Sequence, residues 1–65
     1  MTLSERRLNK GLSVAALARE VKVPPHVIRH AEGGGRPRPD NALRLADFYG
    51  LRVTDLWPVE QRSAA

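Results

Sequence analysis

An all-α fold follows from two features of this 65-residue chain. Apolar residues recur at three- and four-residue spacing rather than in alternation, and no run stays rich in β-branched or aromatic residues for long. Glycine and proline fall between the apolar segments, where they stop and start helices. A chain of 65 residues makes one domain, near the lower size limit for folding without staples. There is no cysteine, so disulfides and thiolate metal sites are excluded, which suits a reducing compartment.

Five helices are expected. The first spans about residues 3–10 and ends at Gly11, which can take the left-handed conformation favoured just past a helix. Ser13 offers its hydroxyl as a cap to a second helix over 14–21. Leu17 and Val21 lie one turn apart on its inner side, with Ala18 allowing close approach and Arg19 and Glu20 pointing out. Pro24 disfavours helical geometry at Val23, so this helix cannot run on, while Pro25 suits the first turn of a third helix over 25–32. Val23 plugs the turn and Ile28 is the strongest core position of the third helix. Two helices joined by so short a turn, with an apolar residue inside it, form a helix-turn-helix arrangement.

Residues 33–39, Gly-Gly-Gly-Arg-Pro-Arg-Pro, read as a flexible loop. Pro39 and Asp40 open a fourth helix to about Tyr49, with Leu43, Leu45, Ala46 and Tyr49 expected inward; Asp40 suits the positive end of the helix dipole. Gly50 stops it. A fifth helix over 53–57 contributes Val53, Leu56 and Trp57 and ends at Pro58. The expected domain is residues 1–57, with 58–65 as a mobile tail.

Eleven Lys and Arg against seven Asp and Glu give a net charge of +4, which suits an anionic partner. The N-terminal residues alternate charged and apolar types, unlike a signal peptide, and no stretch is long enough to span a membrane. A soluble, cytoplasmic protein is therefore expected. His26 and His30, the two histidines, stand at i, i+4, but no third metal ligand is near, so they read as part of a polar helix face. No paired carboxylates, nucleophile–base set or phosphate-cradling loop is discernible. The three glycines at 33–35 lack the lysine and the strand–helix setting of a P-loop. The chain is not expected to be an enzyme, and no cofactor is implied.

The ordered set Gly11-Leu12-Ser13, Leu17-Ala18, Val21, Val23, Ile28, Glu32-Gly33 and, further on, Leu43-x-Leu45-Ala46-x-x-Tyr49-Gly50-Leu51-x-Val53-x-x-Leu56 resembles the phage repressor and Cro-type helix-turn-helix domains. The likeness covers residues 3–57. It implies a five-helix, lambda-repressor-like DNA-binding domain. The third helix would enter the major groove of double-stranded DNA and the second would lie across the backbone. It also implies a structural pair between Arg7 and Glu32, with the more exposed Arg6 free to touch a phosphate.

Carried over to this sequence, the base-edge positions are Pro25, His26, Val27, Arg29 and His30. Arg29 can give two hydrogen bonds to guanine O6 and N7, and His26 can donate to a purine N7 or a phosphate. Val27 or Pro25 suits a thymine methyl, and His30, a turn further in, suits a phosphate. Ser13 has a second task there, bonding a phosphate at the helix N-terminus. Arg36 and Arg38 flank Pro37 in the loop that commonly touches the backbone, each phosphate neutralised adding roughly 0.9 to the salt slope.

Four residues depart from the family pattern. Val14 stands where Gln often buttresses the phosphate contact, and Lys22 stands where Gly is usual, so it must go left-handed at roughly 1 kcal/mol. Pro24 gives no side-chain cap, and Ala31 replaces a larger apolar residue.

The leading functional expectation is a small transcription regulator, a homodimer on a pseudo-palindromic operator. Leu51, Val53, Trp57 and Pro58 are the candidate dimer surface; closure of the monomer core is the competing use of Trp57. The second expectation is a DNA-binding antitoxin or adaptor that works through a protein partner.

Overall fold

The helices start and stop at local signals that the sequence carries. A computed structural model describes residues 2–58, which form α1 (Leu3–Asn9), α2 (Val14–Val21), α3 (Pro25–Glu32), α4 (Pro39–Tyr49) and α5 (Val53–Leu56), with no strand among the described residues. Thr2 and Glu5 open α1 with a reciprocal box: the Thr2 hydroxyl accepts the Glu5 N–H at 3.1 Å, and the Glu5 carboxylate accepts the Thr2 N–H at 2.7 Å. Ser13 Oγ accepts the Ala16 N–H at 3.0 Å and caps α2. Both α3 and α4 start on a proline, whose missing N–H would have been unpaired there in any case. As expected, Pro24 provides no side-chain cap; its carbonyl takes the Val27 and Ile28 N–H groups instead.

The first four helices end alike. One residue turns left-handed, and the amide after it reaches back to the carbonyl five residues earlier, satisfying a group the helix would leave open. The left-handed residues are Gly11, Lys22, Gly34 and Gly50, and the closing bonds are Leu12 N–H to Arg7 O, Val23 to Ala18, Gly35 to His30 and Leu51 to Ala46, at 2.9–3.2 Å. Lys22, at φ 58°, is the only non-glycine with positive φ among the described residues. The geometry expected of it is there, and its carbonyl accepts Arg44 Nη1 from α4 at 2.9 Å.

The closures aim the apolar stripes at one another. α2 packs on α3 and α4, α1 packs on α3, and α5 packs on α4. Leu17, Ile28 and Leu45 are the largest fully buried side chains, joined by Val21, Val23 and Trp57. Alanines at 18, 31, 42 and 46 line the contacts and let the helices approach closely. Each fully buried Leu, Ile or Val stabilises the fold by about 1.5–3 kcal/mol, the main favourable contribution in so small a core.

Several expectations need correction. Leu43 does not face inward: it is 53% exposed, and Ala42 takes the buried position. Ala42, Leu45, Ala46 and Tyr49 fall at i, i+3, i+4 and i+7, the spacing of one helix face, and Leu43 lies about 100° off it. Trp57 belongs to the core of its own chain, at 9% exposed, and so is not part of a free dimer surface. Its ring fills the corner between α5 and the rest, and its Nε1–H donates to the Gly35 carbonyl at 3.2 Å. The glycine run is not a loose turn, since the amides of Gly33, Gly34 and Gly35 all bond back to α3. α1 and α5 stop one residue earlier than expected, at Asn9 and Leu56. Ala31 is buried beneath an open groove of about 310 Å³ between α1, α3 and α5, where a larger side chain would have filled space. Pro58 is exposed, and the rest of the expected tail, residues 59–65, lies outside the described residues.

Candidate DNA interface

The exposed face of α3 follows from its burial pattern. Ile28 and Ala31 are buried, Val27 and Glu32 are half-buried, and Pro25, His26, Arg29 and His30 are exposed. At about 100° per residue these four share one continuous arc, with Arg29 and His26 in its middle. No acidic residue stands on that arc. Arg29 has no hydrogen bond or ion pair with any described residue, so its guanidinium is available to a ligand.

The loop after α3 lies along the same face. His26, Val27 and His30 from α3, Arg36, Pro37 and Arg38 from the loop, and Asn41 from α4 line a groove of about 240 Å³. Pro37 is buried while Arg36 and Arg38 are exposed, and neither arginine is paired among the described residues. The groove thus has an apolar floor of Val27 and Pro37 under a rim of two guanidiniums and two imidazoles, and no carboxylate of the described residues lines it. Cations on such a rim can neutralise a phosphate.

Of the residues expected at the interface, five line this groove: His26, Val27, His30, Arg36 and Arg38. Arg29 and Pro25 share the α3 arc but do not line the groove. Ser13 is exposed at the start of α2, its oxygen engaged in the cap. Val14 is half-buried against the core, which leaves that position without a polar anchor. Sequence reasoning missed Asn41 and the burial of Pro37. The available signals were a polar residue in the first turn of α4 and an apolar residue held between two arginines.

α3 is held in place from behind by the expected pair. Arg7 Nε meets Glu32 Oε2 at 2.7 Å and Nη2 meets Oε1 at 3.1 Å, a two-pronged bond between side chains that are each 13% exposed. Arg7 Nη1 also donates to the Leu12 carbonyl at 2.9 Å, so one guanidinium ties α1, the turn after it and the end of α3. The Glu32 carboxylate bonded to it raises the Arg7 pKa above its ordinary value.

A short Lys22-Val23-Pro24 turn joins α2 and α3, and the motif is complete. A family model described as a helix-turn-helix domain matches residues 1–56. The chain belongs to this helix-turn-helix domain family. Comparison with curated proteins and with solved structures gives no match. Within the helix-turn-helix domain, α2 and α3 are the motif pair and α1, α4 and α5 are the frame that sets their angle. The DNA-binding assignment agrees with the basic, unpaired surface of α3 and its loop. No described helix is long and apolar enough to cross a membrane.

Proposed function

We propose that this helix-turn-helix domain is a sequence-specific, non-catalytic transcription regulator that reads double-stranded DNA with α3 in the major groove. The observation that carries this reading is the face on which, among the described residues, no acid stands and Arg29 and His26 lie unpaired beside unpaired Arg36 and Arg38. A helix with its side chains is about 10–12 Å across and the major groove is about 12 Å wide. With the exposed arc of α3 in that groove, Arg29 meets base edges, while the loop arginines meet the flanking backbone. The task of a Cro or repressor, occupying an operator in the bacterial cytoplasm, suits a domain that carries a reading helix and its frame. A homodimer would set two such helices about 34 Å apart on a pseudo-palindrome, with half-exposed Leu51 and Val53 and exposed Pro58 as the contact.

Selection from random duplex DNA at physiological salt is the direct test, and an enriched motif is the expected result. On that motif Arg29→Ala should lose roughly 1–3 kcal/mol and relax one base preference, whereas Arg38→Ala should weaken all DNA alike and reduce the salt slope by roughly 0.9. Equal losses on motif and random DNA for Arg29→Ala would remove its base-reading role. Failure to enrich any motif, together with a protein partner that co-purifies, favours the adaptor or antitoxin reading.

A further inference from the structure

We propose that Gly35 is the fixed pivot of the Arg36–Arg38 loop, clamped by the end of α3 and by Trp57, and that it is kept without a side chain so that the His30 imidazole can rest against it. Contacts from three directions meet at this glycine. Its N–H donates to the His30 carbonyl at 2.9 Å, which closes the end of α3. Its carbonyl accepts the Trp57 indole N–H at 3.2 Å, which ties it to the core at the far end of the chain. The His30 imidazole lies against its α-carbon: a β-carbon built there would overlap Nε2, Cε1 and Cδ2, coming within 2.5 Å of the last. That crowding singles out Gly35, because the left-handed Gly34 beside it has open space where its β-carbon would be.

The consequence for the loop is geometric. Gly35 is clamped and Pro37 is buried, so the backbone is fixed at alternate residues. Arg36 and Arg38, the residues between and after, are the ones thrown outward. The arginines therefore reach the groove rim on a backbone already in place, and less conformational freedom is lost when DNA arrives. A side chain at position 35 would meet the His30 ring, so either that ring or the backbone of this anchor has to shift.

The inference rests on the DNA-binding reading, so the test has one arm without DNA. Backbone 15N relaxation should find Arg36 and Arg38 as rigid as α3 in the unmodified chain, loose in Gly35→Ala, and rigid again in Gly35→Ala combined with His30→Ala, where the seat is empty. In the DNA arm Gly35→Ala should bind roughly tenfold more weakly, with a salt slope lower by about 0.9–1.8. Trp57→Phe keeps a ring in the core but has no N–H for the Gly35 carbonyl. It should loosen the same loop, and it carries the test if Gly35→Ala does not fold. An unchanged loop in Gly35→Ala, or a double variant no more ordered than the single one, overturns the clamp. A loosened loop with unchanged affinity and salt slope overturns its role in binding. If the unmodified chain binds no duplex DNA, the DNA-binding reading fails and the positioning role fails with it, while the relaxation arm still reports the clamp.

Discussion

Arg7 illustrates how one side chain holds α3 in place. Its fork holds Glu32 at the end of α3 and its third contact holds the Leu12 carbonyl, at a site only 13% exposed. Removing it leaves a part-buried carboxylate and a carbonyl without their donor, so Arg7→Ala should cost about 2–4 kcal/mol in urea unfolding. Arg7→Lys keeps the charge but not the fork, and should recover only about half of that loss. The pair was visible in the sequence only through the family resemblance, since nothing in composition joins residues 25 positions apart. Leu43 shows the opposite case, where local pattern misled. Leu43 and Leu45 are both apolar, and the alanines at 42 and 46 decide which of them faces in. An alanine looks neutral in a periodicity count, yet here its small size is what the packing uses.

At the scale of the elements, most of the fold was written in the punctuation. Gly11, Gly50, Ser13 and the prolines at 24, 25 and 39 each mark a boundary that the helices respect. Lys22 does the work of a glycine at φ 58°, and only its backbone takes part in the contact with Arg44. Lys22→Gly should therefore raise stability by about 0.5 kcal/mol, the relief of left-handed strain less the extra freedom glycine gains in the unfolded chain. A loss in thermal unfolding would mean that the lysine side chain contributes more than its backbone geometry.

The Thr2–Glu5 box carries the Thr-x-x-Glu signature of a helix start, but it sits within the alternating charged and apolar residues of α1, which mask it in a periodicity reading. The Thr2 N–H holds the Glu5 carboxyl below its ordinary pKa, and the Arg52 N–H does the same for Asp55 at the start of α5. A carboxyl with a lowered folded pKa contributes stability above the unfolded value, near ~4, and loses it as the pH falls through the folded value. The melting temperature should drop on acidification below about pH 4, and Glu5→Gln with Asp55→Asn should flatten that drop. An identical acid profile in the double variant would place the sensitivity elsewhere.

For the molecule as a whole, the balance is that of a small core under a basic surface. Four of the ten buried hydrophobic residues described are alanines, so the few large side chains carry a disproportionate share of the stability. Trp57 is the largest of them and joins α5 to the body. Trp57→Ala should cost about 3–5 kcal/mol, most of what a domain of this size has, and leave much of the chain unfolded at room temperature by circular dichroism. The sequence left open whether this tryptophan served the core or a partner, because an apolar corner looks the same in either role until its neighbours are placed. The exposed arc proposed to meet DNA was legible as a set of positions along α3. Its convergence with the loop on one groove was not, because the clamp at Gly35 depends on residues 22 positions apart.

That same tryptophan is the only one in the chain, and its indole nitrogen touches the loop that carries the arginines. The protein thus holds an intrinsic fluorophore at the junction of its core and its proposed DNA face. Emission from a shielded, hydrogen-bonded indole is sensitive to both surroundings: it shifts to the red on unfolding and changes intensity when the Gly35 carbonyl moves. Stability and loop engagement could be followed in one cuvette, with no label attached.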